Sequence, residues 1–242
     1  MINKKICVLA NTGNAGKTTI SRYLLHPRMP KADVFSIETR NQSMSDLGIK
    51  NVKIYTGEQL QQLIEDLMFS DSAIIDVGTS NIDSFFREVK KMKGGIDEFD
   101  LIIVPVVPED KSDAEAVKLY LELQNYGVNE KKIIFLPNRI KDNTNPKDVL
   151  PELYQTVKFN PSVFFPEERC IEFLSSIQKS IEDLIEKGGL NGEKYREAGR
   201  KARKAGDEKG AIAYTKLYSN FKYAVPLKEK LDFIFKEIIK DK

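Results

Sequence analysis

The stretch CVLANTGNAGKTTISRYLL, residues 7–25, constrains this chain more than any other. An apolar run drops into a glycine-bearing loop and continues directly as a helix-forming segment. The same alternation of strand and helix persists downstream. Strand-like runs occupy 4–11, 32–39, 51–55, 72–78, 100–107 and 131–138, with a short one opening 160–174. Helical segments fall at 17–25, 57–69, 81–92 and 113–126. In 57–69, Leu60, Leu63, Ile64 and Leu67 recur at helical spacing. The segment 100–107, DLIIVPVV, is apolar nearly throughout, as a central parallel strand must be. The pattern predicts an α/β fold, a doubly wound, mostly parallel sheet with a P-loop after its first strand and a C-terminal helical extension.

With 242 residues the chain can form one large α/β domain and an appendage. Its character changes after the turn-like EKGGLNG at 186–192, which predicts a P-loop domain over 1–187 and a helical extension over 188–242. Two helices are expected there, joined around Gly206 and Asp207, with a break at Pro226. A last helix at 227–240 then carries Leu231, Ile234, Phe235 and Ile238 on one face. Residues 188–242 hold 14 Lys and Arg against 8 Asp and Glu. With a whole-chain charge of +2, the remainder is four charges negative. That asymmetry points the C-terminal part toward an anionic partner. The two cysteines, Cys7 and Cys170, show no metal or disulfide spacing, and Cys7 reads as a small buried thiol. No segment has the length of a membrane span and no signal peptide is evident, so the expected compartment is the cytoplasm.

The loop carries the chemistry. Consecutive backbone N–H groups of Gly13, Asn14, Ala15, Gly16, Lys17, Thr18 and Thr19, with the start of a helix, form a cradle for the β- and γ-phosphates of a nucleotide. The Lys17 ammonium adds a full charge, and the Thr18 hydroxyl is a Mg²⁺ ligand. The strict G-x-x-x-x-G-K-[ST] pattern wants glycine at position 11, where Asn stands. Asparagine tolerates a left-handed backbone, so the loop can still close. Asp76, leaving the apolar run SAIID, is the natural second anchor for Mg²⁺; by itself it reads equally as a strand-end aspartate capping a turn.

These segments resemble the ParA/MinD family of P-loop ATPases, whose deviant loop reads K-G-G-x-G-K-[ST]-[ST]. TGNAGKTT matches it at Gly13, Gly16, Lys17, Thr18 and Thr19. SAIIDVG is similar to the family's Walker B strand, DLIIVPVVPEDKSDAEA to its D-L-V-L-V-P-V segment, and IIFLPNRI to its strand ending in Asn-Arg. The resemblance spans residues 4 to about 175. It implies ATP with Mg²⁺, an ATPase working as a homodimer, non-specific DNA binding, and a plasmid-encoded partner protein, in plasmid stability, partition or conjugation. It assigns Asn138 to the adenine base. Two departures stand out. The signature lysine that reaches a partner's phosphates is here Thr12. The family's D-x-D-P-Q corresponds to ETRNQ, so Glu38 takes the place of the first aspartate, implying a role with the attacking water or the Mg²⁺ shell. Glu38 reads equally as a strand-end glutamate. Arg40 offers a substitute for the missing lysine. Without that lysine, ATP binding should persist while hydrolysis is slow or partner-stimulated, because the lost charge acts on the transition state.

In 193–206, Arg196, Arg200, Arg203 and Lys204 recur at three- and four-residue spacing and form one basic helical face. Such a face suits the phosphates of DNA and equally suits plain solvation, with Glu193 and Glu197 pairing part of it. The segment 195–217 also resembles a single tetratricopeptide-like hairpin, with Arg203 where a tyrosine is usual. The lone His26 precedes Pro27 and reads as a surface residue ending a helix. Two further readings remain: a nucleotide-binding scaffold that hydrolyses nothing and docks a protein through its C-terminal helices, and a small-molecule kinase or ligase, for which no acceptor feature is evident.

Overall fold

The computed structural model describes residues 3–38, 48–141, 143–158 and 160–240. Arg40, proposed as a substitute charge, lies outside them. The chain divides into two compact units, Met1–Glu167 with Ile234–Lys242, and Glu168–Phe233.

The first unit is built on seven strands: β1 (Lys5–Val8), β2 (Asp33–Ile37), β3 (Val52–Tyr55), β4 (Ala73–Val77), β5 (Leu101–Val106), β6 (Ile133–Ile140) and β7 (Phe165–Pro166). All pair in parallel, in the order β3-β2-β4-β1-β5-β6-β7. The expected α/β sheet is therefore present, with β1 at its centre. Every residue of β4 and β5 is buried, which explains why β5 is apolar throughout and β4 is apolar except for Asp76. One sheet face, through Cys7, Phe35, Ile75 and Val104, packs on α2 (Leu60–Leu67), α3 (Ile82–Lys91) and α4 (Asp110–Asn125). Alternation sends Ile74 and Asp76 to the opposite face, where the helix after the loop approaches β4. That helix starts as α1 (Lys17–Ile20), widens into π-type turns over Ser21–Leu25, and ends in a 3₁₀ turn at His26–Arg28. His26 is half-buried there, not on the surface; burial, then the nearby Arg22 charge, lowers its pKa.

The sheet opens where the loop leaves it. The ladder between β1 and β5 ends with Leu9 N donating to Ile103 O at 3.1 Å. The next bond would need an amide at position 105, and Pro105 has none. Neighbouring strands part at the carboxyl end of a central strand, the place where open α/β sheets form ligand crevices.

Two short helices, α5 (Pro146–Val149) and α6 (Pro151–Thr156), follow β6 in the first unit, and the second unit is helical: α7 (Arg169–Ser176), α8 (Ile181–Gly188), α9 (Glu193–Lys204) and most of α10 (Glu208–Ile239). The break expected at Pro226 does not occur, and α10 continues through it. A proline inside a helix costs about 3 kcal/mol. Phe221, Ala224, Leu227 and Leu231, at three- and four-residue spacing on both sides of it, are all buried. Each large apolar side chain contributes about 1.5–3 kcal/mol on burial, so the continuous stripe outweighs one missing hydrogen bond. Gly188 and Gly192 lie against Phe221, and Tyr195 donates its hydroxyl to Leu184 O at 3.1 Å. Cys170 is a buried free thiol, its pKa pushed up to about 12 by burial and then by the Glu168 charge.

Candidate nucleotide site at the carboxyl end of β1 and β4

The loop from Asn11 to Gly16 runs from β1 into α1. Its left-handed residues are Asn14, with φ 58°, and Gly16, with φ 93°. Asn11 is not among them, so position 11 needs no glycine, and the Asn11 side-chain Oδ1 is instead a buried atom without a hydrogen-bond partner among the described residues. Gly16 is constrained twice: by its positive φ, and because a Cβ there would collide with the Asn138 amide. Asn138 ends the apolar part of β6 and is 2% exposed. It donates from Nδ2 to Ala15 O at 2.7 Å and accepts the Arg139 N–H at 2.9 Å. The residue expected at the adenine thus has its amide against the loop backbone.

Lys17 begins α1 and is 8% exposed. Its Nζ donates to Thr79 Oγ1 at 2.6 Å and to Thr12 O at 3.5 Å. The Thr79 hydroxyl also lies 3.2 Å from Thr12 O and 3.5 Å from Ala10 O. Burial lowers the Lys17 pKa, opposed by the charges of Asp76 and then Glu38. Sequence reasoning missed Thr79. Its signal was the Gly-Thr-Ser directly after Asp76-Val77, a hydroxyl pair placed where β4 turns out of the sheet.

The register pairs Asp76 with Val8, which brings the aspartate beside the strand that feeds the loop. Asp76 is 4% exposed and hydrogen-bonded to the Thr18 side chain, yet its Oδ1 has no partner among the described residues. Burial pushes its pKa up to about 6, helped by the Glu38 charge and opposed by the Thr18 hydrogen bond and the Lys17 charge. Glu38 follows β2. It accepts from Ser80 Oγ at 3.1 Å and lies so close over Gly78 that a Cβ there would strike its carboxylate. Lys17 and Thr18 from the loop, Glu38 after β2 and Asp76 in β4 thus converge. An orphaned carboxylate oxygen beside a threonine hydroxyl is an oxygen-only donor pair that fits a hard dication such as Mg²⁺. A buried lysine beside a helix start and a loop of backbone amides fits phosphate oxygens.

Solved structures share this fold. Apo McdA from Cyanthece is 16% identical, with TM-score 0.54 over 79% of this chain and 95% of its own. MinD in the MinC:MinD cell division complex of Aquifex aeolicus is 14% identical, with TM-score 0.54 over 74% and 88%. The cell division ATPase MinD of Pyrococcus furiosus is 15% identical, with TM-score 0.54 over 92% and 99%. At these identities the likeness is one of fold. No family model matches the chain. No curated protein matches it significantly.

The four basic residues read as a DNA face lie on α9, in the second unit. Arg200, Arg203 and Lys204 are exposed, and Arg196 is held by Glu193, with Nη2–Oε1 at 3.0 Å and Nε–Oε1 at 3.1 Å. Arg196, Arg200 and Arg203 line a groove shared with α10, whereas Lys204 does not. The expected hairpin turn is present: Gly206 has φ 75°, and Asp207 Oδ1 accepts the Gly210 N–H at 2.9 Å. Among the described residues no helix is long and apolar enough to cross a membrane.

Proposed function

We propose that the chain is an ATP-binding switch of the ParA/MinD type, hydrolysing ATP slowly or on contact with a partner, in plasmid stability, partition or conjugation. The observation that carries this reading is the unpartnered Asp76 Oδ1 beside Thr18, one strand from the loop that holds Lys17. Burying a carboxylate with an idle oxygen next to a buried lysine is expensive, and a phosphate-bound dication repays it.

In this mechanism the backbone amides of residues 13–19 and the Lys17 ammonium hold the β- and γ-phosphates. Thr18 and Asp76 would hold Mg²⁺, whose charge would offset that of the phosphates. Thr79 keeps the lysine on station and ties the turn after β4 to the loop carbonyls. Glu38, braced by Ser80, accepts a hydrogen bond from the attacking water and directs it in line. Thr12 brings no charge to a partner's phosphates, so the charge developing in the transition state is less compensated and turnover stays slow. A slow cycle suits a timer of association better than a metabolic enzyme. The likeness to the MinC-bound MinD supports partner binding as the output. Calorimetric titration of ATP with Mg²⁺ tests the reading: the natural chain binds and Lys17→Ala does not. Tight binding by that variant overturns the site assignment.

A further inference from the structure

The hairpin of α9 and α10 encloses a groove of about 790 Å³, made entirely by residues of the second unit. α9 supplies Arg196, Arg200 and Arg203 to its lining, and α10 supplies Lys216, Ile212 and Tyr214. Among the described residues of that lining the sole acid is Glu208. Ile212 is 58% exposed and Tyr214 37%. The helices meet closely at Gly199, where a Cβ would come within 3.3 Å of the Tyr214 Cβ, so the small residue sets the depth of the groove.

Two features must be explained together. A cationic rim recognises anions, and the planar guanidinium prefers carboxylate or phosphate in a two-pronged bond. An isoleucine more than half exposed among cations gains only from an apolar cover. Duplex DNA satisfies the first and not the second. It presents phosphates and sugars and has no use for a recess of this size, since a duplex groove receives a protein helix and not the reverse. An acidic peptide carrying aliphatic or aromatic side chains satisfies both: carboxylates meet Arg200 and Arg203, and an apolar side chain covers Ile212 and Tyr214. Exposed tyrosine and arginine are also the residue types that dominate protein–protein hot spots.

We propose that the α9–α10 groove is a docking site for an acidic, apolar-bearing peptide segment of a partner protein. Arg200 and Arg203 set the charge requirement, and Ile212 and Tyr214 set the apolar one. The groove is built from residues of the second unit alone and the phosphate loop belongs to the first, so its test does not rest on ATP binding.

The test pans a phage-displayed library of random peptides, each about twelve residues long, against the full chain. Enrichment of Asp and Glu interleaved with Leu, Ile or Phe is expected. The strongest peptide, fluorescein-labelled, should bind Arg200→Glu/Arg203→Glu about tenfold or more weakly by anisotropy, with Ile212→Asp weakened similarly. These positions are exposed, and an unchanged melting curve for each variant shows that it folds. Selection of peptides without acidic residues, or equal binding by the variants, overturns the proposal. So does a labelled DNA duplex of about twenty base pairs that binds the natural chain, is lost in the same arginine variant, and meets no selected acidic peptide.

Discussion

The carboxyl end of the central strands and the groove of the α9–α10 hairpin both concentrate charge, at very different cost. Lys17 and Asp76 are 8% and 4% exposed, and burial moves both pKa values toward neutrality, with Asp76 raised to about 6. Arg200 and Arg203 are exposed to solvent. A buried ion costs several kcal/mol unless something compensates it, whereas an exposed arginine is nearly free. The first arrangement therefore supports the proposed nucleotide and metal site. The second becomes informative only because apolar side chains stand exposed among the cations.

Four measurements test this difference in cost between buried and exposed charge. The largest effect belongs to Lys17→Ala, which should weaken ATP binding about a hundredfold or more, since a buried charge on phosphate is lost outright. Asp76→Asn comes next and has two signatures. It should abolish the Mg²⁺ dependence of nucleotide binding. Its stability effect follows from the raised pKa: the folded chain holds the Asp76 proton more tightly than the unfolded one, so this contribution is full below the ordinary carboxylate range and lost as pH rises through about 6. The ligand-free variant should therefore be more stable than the natural chain at neutral pH, by up to about 3 kcal/mol, with the difference shrinking toward pH 4. A difference independent of pH would remove the buried carboxylate from the account.

Thr79→Val should weaken ATP binding about tenfold, the worth of a hydrogen bond to a charged group, and Thr79→Ser should restore it. Failure of the serine to rescue would make Thr79 a packing residue. The smallest effect is expected in the other region: Arg200→Glu/Arg203→Glu should leave the ATP dissociation constant within about twofold. A larger change would show that the two regions are energetically coupled.

Much of the first unit was legible in the sequence. Strand order along the chain, the loop and its following helix, and Asp76 at the end of its strand all rest on short-range signals: apolar periodicity, glycine punctuation and motif chemistry. Reading Asn11 as the residue that bends the loop misplaced the bend, because asparagine's tolerance of a left-handed backbone does not say which asparagine uses it; Asn14 does. Pro226 misled for a similar reason. Proline's local preference was outweighed by a buried stripe whose packing no window of sequence displays.

The alternation of strands and helices, a glycine-bearing loop of P-loop pattern after the first strand, and the gathering of positive charge late in the chain could all be read from the sequence. Each depends on residues within a few positions of one another. Tertiary packing placed β4 beside β1 and set Asp76 against Thr18, leaving Oδ1 without a partner among the described residues. It alone brought Thr79 to Lys17 and Asn138 to Ala15, and paired the arginines of α9 with the exposed Ile212 and Tyr214 of α10. Those contacts join residues up to 123 positions apart. They are set by strand register and helix packing, which minimise the energy of the whole fold rather than of any segment.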